Sequence, residues 1–96
     1  MKYKQSIANN NLRSARIRFN LRQQDVADLI GFQITDRISR WESGVALPSL
    51  VNLFKLSCIY GLRPHELYPK LMEEITTETE VKVKVKYQPS DSSEAE

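Results

Sequence analysis

The strongest pattern of apolar and polar positions lies between Gln23 and Gly44, which read QQDVADLIGFQITDRISRWESG. Val26, Leu29 and Ile30 fall at i, i+3 and i+4, so the spacing predicts one apolar stripe on a helix over about 23–30. Ala27 beside them is small enough to admit a close neighbouring helix. Gly31 follows, at a point where the chain must turn sharply and a positive φ is needed. Ile34, Ile38 and Trp41 then recur at i, i+4 and i+7, a second stripe on a helix that ends at Gly44. At about 100° per residue, Gln33, Asp36 and Arg40 point away from that stripe, with Arg37 and Ser39 on its flanks.

The same reading extends to both sides. Residues 1–10 are polar, and Asn9, Asn10 and Asn11 stand in a row at their end and just beyond, which predicts a mobile arm and then a helix cap near Asn10 or Asn11. A helix over about 12–19 carries Leu12, Ala15 and Phe19 on one face, with Arg13, Arg16 and Arg18 making it basic. Asn20 can adopt the left-handed conformation that ends it. After Gly44, Pro48 keeps Leu47 out of helical geometry, and Ser49 caps a helix over about 50–60. Leu50, Leu53, Phe54, Ser57 and Tyr60 form its expected apolar side. A fifth helix opens at Pro64 with Leu67, Tyr68, Leu71 and Ile75 inward, and Pro69 either kinks or divides it.

The tail differs. EVKVKVKYQ (80–88) alternates with period two, a strand signal. A lone strand needs a partner, which another copy's strand would supply. The other reading is a disordered charged extension, which QPSDSSEAE after it resembles. The fold class is therefore all-α: four to five short helices around one core over 11–75, a mobile arm over 1–10 and a charged tail over 76–96.

Composition narrows the function. Ninety-six residues suit one domain, and a core from about 60 of them is small but viable without a metal or disulfide. Cys58 is the single cysteine, so no intrachain bridge forms. No apolar run approaches the ~20 residues that cross a bilayer, and MKYKQSIANNN lacks the apolar segment of a secretory signal. A soluble cytoplasmic protein is expected. The net charge of +2 hides an asymmetry: residues 1–72 hold 11 Lys/Arg and 5 Asp/Glu (+6), residues 73–96 hold 3 and 7 (−4). A basic globular part suits a polyanionic partner.

Two short helices joined by a glycine turn make a helix-turn-helix, whose second helix can lie in a DNA major groove. The residues Gln23, Ala27, Gly31, Ile38-Ser39, Trp41-Glu42, Gly44 and Leu47-Pro48 resemble the phage-repressor and Cro-like (XRE-type) helix-turn-helix regulators, over roughly residues 12–71. The resemblance implies a lambda-repressor-like bundle that binds double-stranded DNA as a homodimer on a palindromic operator. It also implies that Arg16 pairs with Glu42 at the end of the recognition helix, and that Gln23 lies at a helix start against the DNA backbone. Two departures stand out. Gly31 and Ile38 are seven apart, one more than usual, so the turn or the start of the recognition helix absorbs an extra residue. Arg22 replaces the usual Ser or Thr N-cap. A cation there opposes the helix dipole, and a nearby phosphate would offset the conflict.

The residues expected to bind DNA are therefore Arg22, Gln23, Gln33, Thr35, Asp36, Arg37 and Arg40. Arg40 can chelate a guanine or meet a phosphate, or simply pair with Asp36 at i, i+4. Asp36 can accept from a cytosine amine or repel phosphate. Gln33 and Thr35 can bond bases or backbone, or cap the helix, and Arg37 suits a phosphate. No cofactor or metal is expected: Cys58 and His65 have no ligand partners at useful spacing, Glu73 and Glu74 read as a solvated pair, and three glycines build no phosphate loop. Nothing argues for an enzyme. The rival to a sequence-specific transcriptional regulator, a repressor being typical, is an antitoxin-like or adaptor module that binds a protein partner through the C-terminal tail, with DNA secondary.

Overall fold

The structure, a computed structural model, describes residues 2–87. Over these residues the chain forms α1 (Lys4–Ala8), α2 (Leu12–Arg18), α3 (Gln23–Ile30), α4 (Asp36–Ser43), α5 (Leu50–Tyr60), α6 (Pro64–Leu67) and α7 (Pro69–Lys86), with no strand among them. The fold is all-α, as the periodicity predicts. Its core joins Leu12 and Ala15 of α2, Val26, Ala27 and Ile30 of α3, Ile38 and Trp41 of α4, Leu56 and Tyr60 of α5, and Leu67 and Tyr68. Those side chains come from the apolar stripes of five successive helices, so burial and helix order follow from the same spacing.

Helix ends form where the sequence supplies a terminator or cap. Asn20 takes φ 56°, the left-handed conformation expected of it after α2. Gly31 ends α3 at φ 107°, its N–H bonded to the Ala27 carbonyl at 2.9 Å. Ser49 Oγ accepts the Asn52 N–H at 3.2 Å and so starts α5. Asn10 caps α2 from one residue before its N-cap: Oδ1 accepts the Leu12 N–H at 3.0 Å. The amide nitrogen of Asn10 meanwhile donates to the carbonyls of Ile7 (2.9 Å), Trp41 (3.2 Å) and Glu42 (3.4 Å). One side chain thereby ties the start of the chain to the end of α4.

Several expectations need correction. The mobile arm over 1–10 is replaced, from Lys4 to Ala8, by α1, whose Ile7 is 1% exposed and belongs to the core. A single large apolar residue among polar ones carries no periodicity, and Ile7 is buried only because α1 packs on α7 and over the end of α4. Tyr3 donates its hydroxyl to Glu78 Oε1 at 2.7 Å, Lys2 pairs with the same carboxylate at 2.7 Å, and Ser6 bonds Glu74. Phe19 lies just past α2 and is half exposed, so only Leu12 and Ala15 of its expected face enter the core. On α5 the buried side is Leu53, Leu56 and Tyr60, and Leu50 and Phe54 of the expected side stay exposed with Val51. That helix is apolar around most of its circumference, so periodicity could not choose a face. Packing against α3 and α6 chooses it.

Pro69 divides the last helical pattern. Tyr68 sits between α6 and α7 at φ −129°, ψ 63°, and Pro69 becomes the first residue of α7. The alternating segment 80–88 is not a strand as far as it is described: α7 runs through it to Lys86, and Tyr87 closes the last turn on the Val83 carbonyl at 2.7 Å. A helix satisfies its own backbone, whereas a strand would need an edge, and no strand occurs among the described residues to provide one. Val81, Val83 and Val85 are accordingly exposed. Residues 88–96, including Gln88 of that segment and the end of the charged tail, lie outside the described residues.

Candidate nucleic-acid interface

The turn between α3 and α4 spans residues 31–35, and α4 starts only at Asp36. The extra residue noted in the sequence is thus absorbed by the turn, before the helix begins. Phe32 anchors this turn. Its N–H bonds the Ala27 carbonyl at 2.8 Å and its ring meets Trp41 edge-on at 5.8 Å between centroids. Beyond it, Ile38 and Trp41 are buried in the core. Ile34 does not join them: it is 68% exposed, ahead of the helix it was expected to line. Leu29 of α3 is likewise exposed, leaving Val26, Ala27 and Ile30 as the buried side of that helix. Ile34 lies in the turn, so the buried stripe of α4 begins only at Ile38.

The outer side of α4 presents Asp36, Arg37, Ser39 and Arg40, all exposed. Asp36 stands in the first turn, where a carboxylate favours the dipole. No ion pair joins it to Arg40 among the described residues, and the Arg40 side chain has no hydrogen-bond partner there. Arg37 places its guanidinium 4.8 Å over the Phe32 ring, a cation–π contact that holds it against the turn. Gln33 is exposed, and its carbonyl accepts from Gln24 Nε2 at 3.5 Å. Thr35 is the N-cap of α4, half-buried, with no side-chain cap bond.

The remaining two expected residues sit at the start of α3. Gln23 is half-buried and donates its amide to Glu42 Oε1 at 3.1 Å, so its side chain is turned toward α4. Arg22 is exposed, and the charge conflict expected there is already answered within the fold. Asp25 accepts the Arg22 backbone N–H at 2.7 Å and both guanidinium contacts, from Nε at 3.2 Å and Nη2 at 2.8 Å. The Arg22 guanidinium and N–H pull the Asp25 carboxyl down to about 2. Arg63 and Glu66 repeat the backbone half of this arrangement at α6, with 2.8 Å between the Arg63 N–H and Glu66 Oε1.

Arg16 and Glu42 form the pair implied by the resemblance. Nε lies 2.6 Å from Oε2 and Nη2 3.1 Å from Oε1, with side chains 12% and 6% exposed. Nη1 also donates to the Leu21 carbonyl at 3.0 Å. The Glu42 bond raises the Arg16 pKa further, so the guanidinium stays charged. The network locks the C-terminal end of α4 to α2 and to the start of α3.

Two polar residues absent from the sequence-level set join this side. Ser49 and Asn52, in the first turn of α5, line a cleft of about 300 Å³ with Arg37, Arg40, Trp41, Ala46 and Leu47. Ser49 was readable as a cap, but only the folding of α5 back beside α4 brings it next to the two arginines.

No helix of the described residues is long and apolar enough to cross a membrane, and no three His, Cys, Asp or Glu side chains among them gather as metal ligands would. A comparison with curated proteins finds no match. A family model described as helix-turn-helix matches residues 12–67, from the first residue of α2 to the last of α6. That match covers the glycine turn, the inward stripe of α4 and its arginine-bearing outer side, and the chain belongs to the phage-repressor and Cro-like (XRE-type) helix-turn-helix family of DNA-binding regulators.

Proposed function

We propose that the protein is a sequence-specific transcriptional regulator that reads double-stranded DNA through the major groove, using α4 and the turn ahead of it. One observation carries this reading. Ile38 and Trp41 are held inside while Asp36, Arg37 and Arg40 stand exposed on the other side of the same helix. An unpaired, planar guanidinium at Arg40 matches the O6 and N7 acceptors of guanine. Asp36 accepts from a cytosine amine and disfavours other bases. Gln33 and Thr35 lie at the leading end of the helix, where base contacts concentrate in this geometry. Arg22 and Arg37 meet phosphates, with Ser49 and Asn52 as neutral donors beside Arg37. Since one N–H of the Gln23 amide is given to Glu42, its backbone N–H at the start of α3 is the donor best aimed at the DNA backbone.

The operator is a palindrome read by a homodimer, with half-sites about 34 Å apart. Exposed Leu47, Leu50, Phe54, Met72 and Ile75 support self-association. All of them but Phe54 line an apolar groove of about 520 Å³ between α5 and α7.

Selecting bound sequences from a random duplex pool tests the reading. The expected result is a symmetric site, whose preference at one base pair relaxes in Arg40→Ala. Affinity should fall with salt by about 0.9 log units per log unit for each phosphate contact. A pool with no preferred sequence would overturn sequence-specific reading and leave a nonspecific binder.

The rival reading, an antitoxin-like or adaptor module, draws support from the outer part of α7, where Val81, Val83, Val85 and Tyr87 are exposed. Deleting 80–96 spares the Glu78 contacts to Lys2 and Tyr3. If the deletion abolishes activity in cells while leaving DNA affinity unchanged, the protein partner is the primary ligand.

A further inference from the structure

We infer that Ile34 is a specificity-determining residue that reads the 5-methyl group of a thymine in the major groove. The inference deepens the proposed reading of DNA by α4 and rests on it. Ile34 is 68% exposed and belongs neither to the core nor to the partly buried residues packed against it. It is also absent from the apolar groove between α5 and α7, so the self-association face does not account for it.

Its position removes the usual structural reason for an apolar side chain. With Thr35 as the N-cap of α4, Ile34 stands immediately before the cap. An apolar residue there commonly packs against the fourth residue of the helix, forming a hydrophobic staple. The fourth residue is Ser39, polar and exposed, so no staple forms. The flanking residues are the polar Gln33 and Thr35, the latter half-buried, and Ile34 stands apolar between them at the head of the recognition helix. The N-terminal end of that helix is the part that meets base edges. Thymine is the base that offers an apolar group in the major groove, and apolar side chains are its matching contacts. The added residue in the turn is what brings Ile34 out: it delays the start of α4 to Asp36 and lifts Ile34 off the stripe of Ile38 and Trp41.

The experiment uses the full chain and the site returned by pool selection. Each thymine of that site is replaced in turn by uracil, which removes the methyl and keeps the hydrogen-bonding edge. For the wild-type protein, uracil at one position of each half-site should weaken binding about fourfold per methyl, the factor corresponding to ~0.8 kcal/mol. For Ile34→Ala the same replacement should cost little, and selection with this variant should lose its preference for thymine there. Because Ile34 is exposed, the variant keeps its fold, checked by an unchanged melting temperature. If uracil at every thymine affects the two proteins equally, the inference is overturned while the proposed function stands. If neither protein selects a site, both fall together.

Discussion

Glu42 is the residue on which the interface geometry turns, because side chains from α2 and α3 converge on its carboxylate at the end of α4. The pair with Arg16 is largely withdrawn from water, so its value lies less in the attraction than in the cost of stranding one charge. Glu42→Ala should destabilise the fold by about 3 kcal/mol in urea denaturation, the lower end for a broken buried pair. Replacing both partners by apolar residues, Arg16→Met with Glu42→Leu, should restore much of that loss. A cost below ~1 kcal/mol for the single change would class the pair with solvent-screened ones. The exposed Arg22–Asp25 pair acts through pH. Asp25 titrates at about 2 in the fold against an ordinary 3.8. The unfolded chain therefore takes up the proton first. The contribution of Asp25 is fully present above about pH 5 and is lost as pH falls toward 2. Asp25→Asn should flatten that part of the melting-temperature profile between about pH 5 and pH 2 and leave the limb above it unchanged in shape.

At the level of elements, the consequential finding is that α1, outside the family match, rests on the end of the recognition helix and is itself packed on α7. α1 packs on α7 and lies directly over Gly44 at the end of α4. A Cβ on Gly44 would come within 2.3 Å of the Ala8 Cα, at a φ of 81°. Gly31, at φ 107°, has nothing within 4 Å of that position. Gly31→Ala should thus cost only backbone strain, about 1–2 kcal/mol. Gly44→Ala should cost that strain and also displace α1, exposing Ile7 for roughly a further 1.5–3 kcal/mol. Chemical denaturation of the two variants tests the difference. In a chain lacking residues 1–8, Gly44→Ala should fall to the cost of Gly31→Ala; a persistent excess would show that α1 does not rest on that glycine.

For the whole molecule, the prediction concerns association. Phe54 is 53% exposed on the side of α5 that turned away from the core. Phe54→Glu should leave the melting temperature within a few degrees of wild type, because no core contact is lost. For the homodimer and operator proposed above, it should shift sedimentation at micromolar concentration from dimer to monomer and weaken operator binding by about 30-fold, the loss that a 2 kcal/mol interface anchor implies. A dimer that survives this substitution would move the interface off the exposed face of α5 that carries Phe54.

How far the sequence reached differs by element for physical reasons. Where an amphipathic stripe is bounded by its own terminators, as at Asn20, Gly31, Gly44 and Ser49, helix positions were readable, and α5 spans the expected residues. Where apolar residues surround a helix, as on α5, or stand alone among polar ones, as Ile7 does, periodicity is silent about the buried side. Alternation in 80–88 misled because period two is a statement about side chains, while the backbone goes to whichever structure satisfies its hydrogen bonds. The sequence by itself determined the all-helical class, the glycine turn and the inward Ile38–Trp41 stripe, because these depend on spacing along one chain segment. Only the tertiary structure decided that Ile34 stands outside, that Ser49 and Asn52 join Arg37 and Arg40, and that α1 rests on the end of α4. Those outcomes depend on which surfaces meet, and residues far apart in the chain carry no local signal of it.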